Sequence, residues 1–113
     1  MSKIPDYLKI QQGYRLNVKT ITGDTTLTEN DAGLILVNNT AAITITLPTA
    51  SGNEGLTYII KKISSATQAV TLDGYGSETI DGSATNNDID AQYDYLVITS
   101  DGSNWHIVGR WIH

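Results

Sequence analysis

The sequence predicts an all-β fold, a small antiparallel β-sandwich or prism-like barrel preceded by an extended N-terminal arm. Apolar and polar residues alternate with a period of two in several short segments, as in ITITL over 43–47. Fifteen threonines accompany a liberal supply of Ile, Val and Tyr, and ten glycines punctuate them. Sustained helical periodicity is lacking. We therefore divide the chain into an arm, 1–13, and a single β domain, 14–113.

In chain order the strands are expected at YRLNVKTI (14–21), GLILVNN (33–39), AITITLPT (42–49), LTYIIKKI (56–63), AVTLDG (69–74), ETIDG (78–82), YDYLVITSD (93–101) and NWHIVGRW (104–111). Ile43, Ile45 and Leu47 fall on one face and should point inward, with Thr44 and Thr46 outside. Pro48 cannot donate to a ladder and ends that strand, Gly52 and Gly55 turn the chain, and LTYII begins the return. The last two strands flank SDGSN, whose Asp-Gly pair suits a tight hairpin turn. LTEND (27–31) is a plain turn in which Thr28 and Asp31 could instead cap a single helical turn. AVTLDG and ETIDG echo one another as similar hairpin edges, but the spacing is too irregular for a solenoid.

A formal charge of −5 on 113 residues argues against nucleic acid as a partner, because its phosphates would be repelled. The charge is uneven: Lys3, Lys9, Arg15 and Lys19 face only Asp6 in the first 19 residues, a basic arm on an acidic body. No cysteine is present, so thiolate metal sites and disulfides are excluded. No segment reads as a secretory signal or a membrane span, which points to a protein made in a cytoplasm and no membrane partner.

Catalytic groups are scarce, and no catalytic, cofactor-binding or metal residue is assigned. His113 is terminal and expected to be disordered. His106 lies between Trp105 and Ile107, on the opposite face from both, and reads as a surface or interface histidine. Asp88, Asp90 and Asp94 in NNDIDAQYD do not fit an EF-hand loop, lacking its glycine and terminal glutamate, and read as a solvated acidic loop; Ca²⁺ there stays an open alternative. Asp73, Asp81 and Asp101 each precede glycine and serve turns. Tyr75, Tyr93, Tyr95, Trp105 and Trp111 suit core and subunit contacts more than ligand stacking, with Trp105 and Trp111 the candidate subunit interface.

TITLPTASGNEGLTYIIKK, VTLDGYGSETIDG and SDGSNWHIVG, in that order, resemble a β-rich module of bacteriophage virion proteins, the terminal region of tail fibres and related surface proteins. The residues that carry the likeness are Asp31 to Gly33, Ile45 to Pro48, Gly55 to Lys61, Val70 to Gly82 and Ser100 to Trp105. The resemblance implies a non-enzymatic, commonly trimeric module on the outside of a phage particle. No shaft, collagen-like repeat or heptads stand ahead of it here, which fits an accessory protein on the virion surface better than a fibre. The expected function is capsid decoration, the chain binding itself as a homotrimer and other virion proteins, above all the major capsid protein. Lys3, Ile4, Tyr7, Leu8, Lys9, Ile10 and Arg15 are the candidate anchoring arm. The rival is a fibre or spike tip whose loops at 51–55, 74–78 and 83–92 bind a host receptor. A small glycan-active enzyme is a third class, for which the separated carboxylates offer no evident acid partner.

Overall fold

The computed structural model describes residues 15–113. Among them nine strands build two mixed sheets. In one, β1 (Asn17–Ile21), β3 (Gly33–Val37), β5 (Thr57–Lys62), β8 (Tyr95–Ser100) and β9 (Trp105–Trp111) lie side by side in that order; in the other, β2 (Thr25–Thr26), β4 (Ile43–Thr46), β6 (Val70–Asp73) and β7 (Thr85–Ile89) do so. The chain changes sheet at each step from β1 to β6, so β1, β3 and β5 are parallel neighbours, as are β2, β4 and β6. Antiparallel pairing then adds β7 to β6, β8 to β5 and β9 to β8.

This corrects the expected antiparallel sandwich or prism-like barrel: the sheets are mixed, and among the described residues they do not close into a barrel. The first six strands wind as unequal coils, with Ile21 opposite Val37, Val37 opposite Lys62, Thr25 opposite Ile45 and Ile45 opposite Leu72. Unequal coils hide the repeat from any fixed-period reading. The return from β4 to β5 is likewise a crossover between sheets, not a hairpin. By contrast β8 and β9 form the expected hairpin, Ser100 opposite Trp105.

Ile43, Ile45 and Leu47 do point inward. They meet Val70, Leu72 and Ile89 from their own sheet and Ile35, Val37, Tyr58, Ile60, Leu96, Ile98 and Trp105 from the other, all enclosed in one core. Apolar area removed from water stabilises such a core by roughly 25 cal/mol per Å². Tyr58 places its hydroxyl at the rim, donating to the Thr28 carbonyl at 2.6 Å. Burial and the nearby Asp31 and Glu29 carboxylates push that phenol up to about 12, so it stays a neutral donor at any ordinary pH.

Thr28 and Asp31 cap a single 3-10 turn (Glu29–Asp31) where a plain turn was expected; the Thr28 amide donates to Asp31 Oδ2 at 2.9 Å. Lys19 Nζ, 3.2 Å from Asp31 Oδ1, ties this turn to β1. ETIDG forms no strand. Asp81 and Gly82 take positive φ in a two-residue turn, closed by mutual hydrogen bonds between Ile80 and Ser83. The acidic segment after it, expected as loop, supplies β7, whose polar TNNDI is held by ladder bonds to β6.

Gly33 begins β3 at φ +136°, and a Cβ there would lie 2.4 Å from the Asn17 carbonyl oxygen. Gly33→Ala therefore pushes β1 away from β3, at a cost of about 1–3 kcal/mol for the strained backbone alone. Urea unfolding checks this; a variant as stable as the parent would refute the close approach.

Candidate functional site

The outer face of the five-stranded sheet carries two rows rich in apolar residues beside a polar row of Thr57, Thr99 and His106. Register places Val18, Leu34, Ile59 and Val97 in one row across the outer face of four neighbouring strands, with Gly109 at its end. A second row carries Leu36, Lys61, Tyr95 and Trp111. Lys61 Nζ lies 5.5 Å and 5.8 Å from the ring centres of Tyr93 and Tyr95, so its charge rests over aromatic faces. Val18 is 57% exposed, Val108 62% and Trp111 51%. A Cβ on Gly109 would touch Val97 Cγ2 at 3.3 Å, and the bulge between Val97 and Ile98 leaves Val108 outside the paired rows. The outer face of the four-stranded sheet is different in kind, with Thr44, Thr46, Thr71 and Asp73. The two outer faces thus differ, one lined by threonine and aspartate and the other largely apolar.

Of the expected interface pair, Trp111 stands on this apolar face. Trp105 does not: it is 0% exposed, with its ring 5.8 Å from that of Tyr58 in the core. Its position on β9 explains this, since it opposes the inward Ser100. Lys3, Ile4, Tyr7, Leu8, Lys9 and Ile10 lie outside the described residues. Arg15 is exposed beside a hollow of about 290 Å³ that it lines with Leu16, Asn17, Ala32, Gly33, Thr57 and Ile59.

The outer-face residues Leu34, Leu36, Ile59 and Val97 escaped the sequence reading. Their signal was present in GLILV and YII, where apolar residues occupy both parities, as in strands covered on both faces.

At one end of the sandwich, Glu78 joins two loops. Its carboxylate accepts from the Ala50 amide at 2.8 Å and the Thr49 hydroxyl at 2.9 Å. Ser100 Oγ donates to the Ala50 carbonyl at 3.0 Å and brings the 101–104 turn alongside. Tyr75, 56% exposed, borders an open groove of about 360 Å³ with Leu27, Leu47 and Pro48.

The acidic residues at 88–94 do not converge. Asp88 turns to Arg110 at 3.4 Å and to Asn86 at 3.1 Å. Asp90 and Asp94 gather instead with His113, their ligand atoms within 4.8 Å of one another. Asp94 is fully buried and its oxygens accept from the Asp90, Ala91 and His113 amides and the His113 ring. Burial pushes this carboxyl up, but hydrogen bonds from the His113 backbone and ring and from the Ala91 and Asp90 amides outweigh it and hold the group below its usual range. The C-terminal histidine, expected to be disordered, is thereby pinned. His106 is exposed as expected, 2.7 Å from Asp101, whose carboxyl is held down to about 2 by the Asn104 amide, the His106 ring and the Ser103 amide. Among the described residues both histidine rings pair with aspartates.

No family model matches the chain, and no curated protein matches it.

Proposed function

We propose that the chain is a non-enzymatic structural protein of a bacteriophage particle, a homotrimer on the virion surface that decorates the capsid and stabilises it through the major capsid protein. The observation that carries the self-association is the apolar outer face of the five-stranded sheet, from Val18 to Trp111. Leaving such rows wet is unfavourable, and burying them against sister copies also covers the open β1 and β9 edges. The opposite, threonine-faced sheet suits the solvent side. The phage assignment rests on the sequence resemblance, and clamping follows from it: a trimer bound across neighbouring shell subunits favours their assembled state by mass action.

Light scattering should give a trimer for the parent protein and a monomer for the double variant Ile59→Lys, Val97→Lys, with an unchanged β spectrum in both. A parent that stays monomeric at high concentration removes the trimer. Rebinding of the purified protein to particles stripped of it tests decoration; failure to bind any shell ends that reading.

A second reading, a fibre or spike tip that binds a host receptor, is favoured by the end loops that Glu78 fastens together and by the exposed Tyr75 beside its groove. Binding to isolated host envelopes, weakened by Tyr75→Ala, would select it over decoration.

A further inference from the structure

We infer that Lys62, Asn39 and Ser64 form a site for an intramolecular cross-link, in which Lys62 Nζ displaces ammonia from the Asn39 side-chain amide and joins the ends of β3 and β5 covalently. The inference is independent of the virion reading. Val37 and Lys62 are register partners on these parallel strands, and Asn39 follows Val37 by two residues. Parallel neighbours cannot be joined by a tight turn, and the chain has no cysteine to staple them.

All three side chains are enclosed, Lys62 and Asn39 at 0% exposure and Ser64 at 8%. Lys62 Nζ lies 2.8 Å from Asn39 Oδ1 and 2.6 Å from Ser64 Oγ, and the Ser64 hydroxyl donates to the same Oδ1 at 3.0 Å. Asn39 Nδ2 donates to the Ala41 carbonyl at 2.9 Å and the Gln68 carbonyl at 3.2 Å, which fixes the amide with its oxygen toward the amine. Among the described residues no carboxylate pairs with Lys62. Two acceptors match the two N–H bonds of a neutral amine, whereas an ammonium needs three. Burial pushes the Lys62 ammonium below its usual range, against the opposing pull of Asp90 and Asp94. Once deprotonated, an amine enclosed in this way is a nucleophile.

The lone pair of Nζ adds to Asn39 Cγ while Oδ1 takes up charge against the Ser64 hydroxyl. Nζ gives up a proton and the departing Nδ2 takes one up, the Cγ–Nδ2 bond breaks and ammonia leaves; the Nζ–Cγ bond remains. No oxidant or other reactant is needed, and exclusion of water disfavours hydrolysis of the product.

Intact-mass spectrometry of the purified full chain, fresh and after incubation at mildly alkaline pH, tests this. The expected mass is lighter than the sequence by one ammonia. A digest should yield a branched peptide joining residues 39 and 62 with no tryptic cut after Lys62, and both signals should be absent from Asn39→Ala and Lys62→Arg. A parent chain that keeps its full sequence mass overturns the inference without reference to any variant. So does an ammonia loss that yields no branched peptide, since cyclisation of an asparagine onto its own backbone would then account for it.

Discussion

Replacing Trp105 with alanine should lower the unfolding free energy by about 3–5 kcal/mol, the usual loss for a large aromatic side chain removed from a core. That is a large share of the stability of a small domain. Trp105 is wholly enclosed, packs on Tyr58, and anchors the 80–83 turn: its amide donates to the Thr79 carbonyl at 2.8 Å, and its carbonyl accepts from the Asp81 amide at 3.0 Å. Among the described residues its buried indole N–H has no acceptor. The side chain therefore contributes volume and area but no side-chain hydrogen bond, and an unpaired buried donor is itself unfavourable. Trp105→Phe should accordingly lose much less than Trp105→Ala. Urea unfolding of the three proteins at one fixed chain concentration gives the comparison. Equal losses in both variants would mean that the indole N–H matters and the packing account is wrong.

Asp94→Ala should cost about 3 kcal/mol, because it strands several N–H groups that a buried carboxylate now satisfies. Asp94→Asn separates charge from shape. The carboxyl is held below its usual range in the folded chain, so the unfolded chain binds its proton more readily. The stability this group contributes is thus fully present above its unfolded value, about 3.9, and is lost as the pH falls from there through the folded value. Asp31 and Asp101 are also held low, Asp31 chiefly by the Thr28 amide and Asp101 by the Asn104 amide, so the parent keeps part of its acid sensitivity when Asp94 is gone. The informative quantity is the gap between parent and Asp94→Asn, which should be wide at neutral pH and close in acid. A gap independent of pH would show that the carboxylate's charge plays no part. Removing His113 should narrow it too, since that residue supplies two of the contacts.

The strands that repeat apolar residues at alternate positions were legible from composition alone. ITIT read correctly because its outer face is threonine, YLVITS because its length and β-branched content suit a strand, and the Asp-Gly turn at 101–102 because its chemistry is local. The pairing was not legible. Whether Ile45 faces a strand before or after it depends on crossovers of unequal length, and a parallel register leaves no mark at the turns. TNNDI has poor β propensity and becomes strand only through its neighbour β6. Trp105 and Trp111 looked equivalent on composition, and only the register of β9 against β8 separates the enclosed ring from the exposed one. Asp94 illustrates the remaining difficulty, because its burial depends on a histidine 19 positions away that a linear reading treats as a loose end.

The alternation of the first six strands between sheets also bears on the order of events during synthesis. β5 gains its antiparallel neighbour only when β8 has emerged, near the end of the chain. Until then the earlier coils hold half-covered ladders whose contacts are all distant in sequence. Domains of this kind typically fold in milliseconds to seconds, long enough for unpaired strands to meet those of other nascent chains. A ribosome stalled before β8 should therefore carry a chain that proteases still cut freely, and protection should appear abruptly as the C-terminal hairpin is released.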